Sequence, residues 1–394
     1  MTTMRRVYLD CNATTAVDRE VLAAMLPFFA EKHGNASSIH GAGQEARAAV
    51  ESARSSVAAL IGAKASEIVF TSGGTEADNL AIFGFVRAFR RERKHVICSP
   101  IEHHAVLHSV EELEKQGIEV SWLPVTPSGA VDPEDVRRAL RPETILITVM
   151  HANNELGTIQ PVEEIGKIAY EANVYFHCDA VQSAGKIPVD VNEMKADFMA
   201  LSAHKIYGPK GVGALYVREN TPLEPLFFGG TSERDKRPGT ENVAGIVGFG
   251  KAAELARANL AKEAARIGAL RDKLEKGILA RVADARVNGA GARRTPNTAN
   301  ITFANAEGES LVIALDLQGV ECSTGAACSS GATLPSHVLR AIGLPREEAK
   351  CTLRFSLGRF TTDEEVSYAL EVIPAAVERL RELSPTYRSA IPAH

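Results

Sequence analysis

Lys205 is the residue with the most chemistry to offer. It stands in Ala200-Leu-Ser-Ala-His-Lys205-Ile-Tyr-Gly-Pro-Lys-Gly211, directly after an apolar run and hemmed by Ser202 and His204. Burial and neighbouring cations lower an amine's pKa and make it a nucleophile toward carbonyls; the plainer reading is a solvated loop lysine. Asp179, in Val174-Tyr-Phe-His-Cys-Asp-Ala-Val-Gln182, falls just past another apolar run. A carboxylate there could keep a pyridine nitrogen protonated and turn the ring into an electron sink, with Gln182 reaching the same ligand; it could equally cap the next helix.

Thr71-Ser-Gly-Gly-Thr-Glu-Ala-Asp-Asn79 runs from a strand through glycines into a helix. Glycines let the backbone approach an anion, and a helix start offers unpaired N–H groups. A phosphate bound at Gly74 would also meet the hydroxyls of Ser72 and Thr75. The spacing is not that of an ATP phosphate loop, and a tight turn with Thr75 as its cap fits too. His103, in Glu102-His-His104, suits an aromatic plate and proton carrier over a flat cofactor. Arg354, in Leu353-Arg-Phe-Ser-Leu-Gly358, suits a two-pronged contact to a carboxylate, against the plainer surface ion pair or helix cap. Cys328 sits among Gly, Ala and Ser in Cys322-Ser-Thr-Gly-Ala-Ala-Cys-Ser-Ser-Gly331. Such neighbours bury little area and present a thiol. Cys322 and the other four cysteines, at 11, 98, 178 and 351, lie in or beside expected strands, where core filling is the default.

Apolar runs at Glu67–Thr71, Lys94–Cys98, Thr144–Val149, Val174–Cys178 and Phe198–Ser202 alternate with helical patterns such as Glu76–Arg91, His104–Lys115, Pro133–Leu140 and Val162–Glu171. That alternation predicts an α/β fold with a mostly parallel sheet and helices on both faces. Ligands then sit beyond the carboxyl ends of the strands, where the polar residues above fall. From about Val243 to Ala283 one long helical run is interrupted only by Gly268 and Gly277. Segments 298–303, 310–318 and 350–356 and a final helix at 362–383 then suggest a smaller α+β unit. The expected division is a large domain over 16–260 and a small one formed by 1–15 and 261–394.

With 45% hydrophobic and 24% charged residues and a net charge of −5, the 394-residue chain reads as an ordinary globular protein. Its Lys and Arg are scattered, which argues against nucleic acid as a partner. No stretch nears the roughly 20 apolar residues of a membrane span. The start lacks an apolar signal region, and six cysteines without a repeated short spacing argue against disulfides and structural metal. A reducing cytoplasm is the expected location.

The order of these motifs resembles one family. Tyr8-Leu-Asp-Cys-Asn-Ala-Thr-Thr15, Gly34-Asn-Ala-Ser-Ser38, Ser72-Gly-Gly-Thr-Glu76, Glu102-His103, Asn153-Asn-Glu155, Asp179-Ala-Val-Gln182, His204-Lys205, Arg237-Pro-Gly-Thr-Glu-Asn242 and the Cys328 loop look like the cysteine desulfurases, over about Val7 to Leu383. The long cysteine loop points to their NifS/IscS-like branch. The resemblance implies a fold-type I homodimer that uses pyridoxal 5'-phosphate and takes L-cysteine. Lys205 would hold the cofactor covalently, Asp179 its ring nitrogen and Gln182 its phenolic oxygen. His103 would stack on the ring. Gly74, Thr75, Ser202 and His204 would bind the phosphate, joined by Thr240 of the neighbouring subunit. Asn154 and Arg354 would take the substrate carboxylate. Cys328 would remove the sulfur as a persulfide for an acceptor or scaffold protein, with iron–sulfur cluster assembly the expected destination and no metal held. Rival readings are selenocysteine lyase, another pyridoxal-phosphate activity on a small amino acid, or a silent partner of a true desulfurase. Three departures stand out: Cys11 where relatives carry Asn, Gly229-Gly-Thr-Ser-Glu233 for a Gly-Gly-Gly-Gln-Glu run, and a short tail after Tyr387.

Overall fold

The computed structural model describes residues 5–325 and 335–383. Strand β1 (Val7–Tyr8) comes first. Then β2 (Ile68–Thr71), β3 (His95–Cys98), β4 (Glu119–Trp122), β5 (Thr144–Thr148), β6 (Tyr175–Asp179), β7 (Phe198–Ser202) and β8 (Gly213–Val217) form one sheet in the order β2-β8-β7-β6-β5-β3-β4. Only β8 runs against its neighbours. Strands β2, β3, β5, β7 and β8 are buried at every residue, as a sheet covered on both faces requires. Successive side chains go to opposite faces. Met199 and Leu201 join the core under the helix Gly41–Leu60 and the first half of the helix Val243–Arg281. Phe198 and Ala200 join the core under residues 74–88 and the helix His104–Lys115.

The sequence reading starts β2, β3 and β6 one residue early, and Asp179 closes β6 rather than following it. The helical stretch expected over 76–91 runs over 74–88, with a wider turn at Leu80–Gly84.

A second sheet contains β9 (Ala285–Val287), β10 (Thr298–Phe303), β12 (Ser323–Thr324) and β13 (Thr352–Ser356) in the antiparallel order β12-β13-β10-β9, while β11 (Val320–Glu321) pairs in parallel with β1. Segment 310–318 is mostly helix, Gly308–Asp316. With the helix Asp363–Leu383 it covers a core that includes Val7, Leu9, Ile301, Leu311, Phe355 and Ile373. The helix Val243–Arg281 passes unbroken through residue 260. Its Phe249 and Ala256 lie in the first core, and its Leu270, Leu274 and Ile278 in the second. Gly277, a weak point for a helix, is there for packing: a Cβ would meet the Leu370 side chain at 2.5 Å. Among the described residues, no helix is long and apolar enough to cross a membrane.

Candidate active site

Beyond the carboxyl ends of β6 and β7 lies a cavity of about 290 Å³. Its lining includes Gly74, Thr75, His103, Asn154, Asp179, Gln182, Ser202, His204, Lys205 and Arg354. Two expected residues are not among them. Thr240 is exposed and lies off the lining, and Cys328 lies outside the described residues. Ser72 also stays away: it is exposed, and its backbone N–H donates to Glu76 Oε2 at 2.8 Å.

Asp179 ends its strand with one carboxylate oxygen accepting the Val181 N–H at 2.8 Å. Burial pushes its pKa up to about 6, opposed by that hydrogen bond and by the charge on Lys205. Two further acids, Asp78 and Glu102, are wholly buried nearby. Burial, then the charge on Asp179, raises Asp78, and burial drives Glu102 up to about 8. Glu102 is therefore neutral at pH 7 and puts no like charge beside Asp179.

Lys205 belongs to the single turn Ala203–Lys205 that follows β7. Its Nζ donates to the carbonyls of Asn12 (2.5 Å) and Ala13 (2.8 Å). His204 faces the Thr14 hydroxyl at 3.1 Å, and burial followed by the Lys205 charge lowers its pKa to about 4. His103 caps the helix His104–Lys115, with Nδ1 accepting from the Ala105 N–H at 3.2 Å. That bond leaves Nε2 to carry the ring proton. Burial, then Lys205, lowers His103 to about 4, so the ring is neutral at pH 7.

Arg354 lies in β13 with only 1% of its surface exposed, so the surface-pair and helix-cap readings fall away. Nη2 donates to Asp10 Oδ1 at 2.7 Å and Nη1 to the Asn154 carbonyl at 3.2 Å, while Nε has no partner among the described residues. An anion entering the cavity would meet a guanidinium already held in place by two contacts.

The donor set fits a flat, phosphorylated pyridine. Helix Gly74–Asn79 begins at the cavity wall without a side-chain cap, so its first N–H groups remain for an anion. A Cβ on Gly74 would meet Val181 Cγ2 at 2.8 Å, so a larger residue there would have to displace that side chain. The aminotransferase class-V model matches residues 7–369. The chain belongs to this family, in its cysteine desulfurase branch. Cysteine desulfurase IscS of Dictyoglomus turgidum is 53% identical over 381 residues, 97% of each chain. A solved NifS-like protein superposes with a TM-score of 0.90 at 39% identity, covering 95% of this chain and all of its own. SspA, solved in complex with cysteine, superposes at 0.80 with 39% identity, covering 90% of this chain and 100% of its own. The fold is that of a fold-type I enzyme, and the cofactor of this desulfurase-branch protein is pyridoxal phosphate.

Asn12 in the wall and Lys186 behind it escape the sequence reading. Asn12 links the units: its side chain donates to the Asn154 carbonyl (3.0 Å) and Thr298 Oγ1 (2.8 Å) and accepts from Asn297 (2.8 Å). Lys186 sits behind Gln182. The Tyr8–Thr15 motif signals the first; nothing in composition or spacing singles out the second. Cys11, Cys98, Cys178 and Cys322 are buried and Cys351 half-buried. Burial pushes Cys11 up to about 12 and raises the other four as well. None of these five is a ready thiolate.

Proposed function

We propose that the chain removes sulfur from L-cysteine, releases L-alanine, and passes the sulfur from Cys328 to an acceptor protein that serves iron–sulfur cluster assembly. The observation that carries this is the convergence of Lys205, Asp179, His103 and Arg354 on one cavity, joined to the desulfurase relatives. The bound cofactor supplies an electron sink at the substrate's α-carbon.

The chain's own residues do the rest. The uncapped start at Gly74 and Thr75, with Ser202 and His204, holds the phosphate. Asp179, ionised at pH 7, faces the ring nitrogen, and Gln182 faces the phenolic oxygen. Arg354 and Asn154 orient the substrate carboxylate. Lys205 anchors the cofactor, then takes the α-proton and returns it. His103, neutral and protonated on Nε2, donates a hydrogen bond to the substrate sulfur. The thiolate of Cys328 attacks the substrate sulfur: an S–S bond forms, the C–S bond breaks, and its electron pair goes to the carbon that becomes the alanine methyl. Overall one thiol and one cysteine become one persulfide and one alanine, without an external oxidant.

The family resemblance supports a cytoplasmic homodimer in which Thr240 reaches the partner's phosphate site. The assay is purified protein with pyridoxal phosphate, L-cysteine and a reductant, measuring sulfide and alanine together. Equal amounts of both products, lost in Cys328→Ala, are expected. Full turnover by that variant would sink the persulfide route, and cofactor binding without sulfide would point to another amino-acid reaction.

A further inference from the structure

Gln182 lines the cavity, and its amide oxygen is held from behind by Lys186. Lys186 Nζ donates to Gln182 Oε1 at 2.6 Å and to Asn12 Oδ1 at 3.2 Å. Protonated, Lys186 can only donate, so the amide atom that faces it must then be the oxygen. On its far side Gln182 Nε2 donates to the Asn12 carbonyl at 3.0 Å, a group that can only accept. Two neighbours thus impose the same orientation, and the second hydrogen of the Gln182 NH2 group is left for a ligand.

We propose that Lys186 is a positioning residue: it locks the Gln182 side chain so that its NH2 group, not its carbonyl, is offered to the cofactor's ring oxygen. This rests on the pyridoxal-phosphate reading of the cavity. Packing alone does not account for an ammonium at this place. Lys205 and Arg354 add positive charge around it, and burial drives its pKa down to about 7. Methionine would fill the same volume without desolvating a charge. What the ammonium supplies, and methionine does not, is a donor with no acceptor. Lys186 also ties Gln182 to Asn12, whose backbone carbonyl accepts from both Gln182 and Lys205. The lock therefore lies beside the amine that anchors the cofactor.

The test compares holoenzymes carrying K186M, of similar shape but with no donor, and K186Q, neutral but still able to donate. Two quantities are read: the pH midpoint of the bound cofactor's visible absorption, and the apoenzyme's affinity for pyridoxal phosphate. A donor lost from the ring oxygen destabilises its ionised form, so K186M is expected to move the midpoint up by about one pH unit. It should also weaken cofactor binding about tenfold, and K186Q should recover most of both. Equal behaviour of the two variants would reduce Lys186 to its charge or its volume, and a wild-type midpoint in K186M would end the proposal. Should K186M not fold, Q182M is compared with Q182M/K186Q. With no amide left to orient, the second change must leave the midpoint unmoved, and a further shift overturns the proposal. Wild-type protein that binds no cofactor would instead overturn the reading of the cavity.

Discussion

Glu102 shows how burial sets the charge of single residues around the cavity. Its Oε1 accepts the Met150 N–H at 2.7 Å, and burial, opposed by that bond and by a hydrogen bond with Ser99, raises the pKa to about 8. The folded chain therefore holds this proton more tightly than the unfolded chain does. The resulting stability is complete below the ordinary carboxyl range and is lost as pH rises toward 8. His103, His151 and His204, each lowered to about 4, act the other way and only below about 6.5, where the unfolded chain takes up protons they refuse. Above pH 7 Lys186, lowered to about 7, opposes the carboxyls; between pH 6.5 and 7 Glu102 acts together with Glu155, raised to about 7. The melting temperature of the apoenzyme is expected to fall across that window, and Glu102→Gln, neutral throughout, to flatten the slope. A slope unchanged in the variant would refute the assignment. The residues legible from sequence were those whose place follows from a strand's end: Asp179, Ser202 and Lys205 each close or follow an apolar run. Asn12 and Lys186 were not, because their worth depends on partners brought in by the fold. Asn12 meets Thr298 across 286 positions of chain, a pairing no local pattern announces.

At the scale of elements, the mostly parallel sheet was readable because its central strands are mostly apolar and buried. Strand β4 was not, since as the edge it mixes Glu119, Val120, Ser121 and Trp122 and is nowhere fully buried. Strand β8 also escaped, yet it shapes the phosphate end of the cavity. It lies antiparallel between β2 and β7, and Gly213 at its start passes close under the loop that leads to Gly74. A Cβ on Gly213 would come within 2.6 Å of both the Gly73 carbonyl carbon and the Leu201 oxygen, and both are backbone atoms that cannot rotate away. Gly213→Ala is expected to cost about 1–3 kcal/mol in urea unfolding. Because the displaced loop carries the helix start, it should also weaken cofactor binding. Unchanged affinity together with lost stability would detach the glycine from the site.

For the whole molecule, the exposed apolar side chains Phe227 (53%), Phe228 (91%) and Ile39 (91%) support the proposed homodimer, since a second copy would cover them. If Thr240 completes the partner's site, a mixed dimer of Lys205→Ala and Thr240→Ala protomers contains one site with both defects and one with neither. It is expected to recover about half of the wild-type activity, although each parent is impaired. Recovery no greater than that of the Thr240→Ala parent would place the threonine in its own subunit's site.

The amine of Lys205 rests against the carbonyls of Asn12 and Ala13, and those residues are themselves held by the far end of the chain. Val7 pairs with Val320, and the Asn12 N–H donates to Ser356 Oγ across 344 positions. On the ribosome, Asn12 is made early and Ser356 late. At about 5–20 residues per second, roughly 20–70 s separate them. A growing chain can finish the sheet that carries Asp179 and Lys205 well before it can finish the wall around them. Residues made early are among the last to find their place, so the wall facing the cofactor closes only after Ser356 has been made.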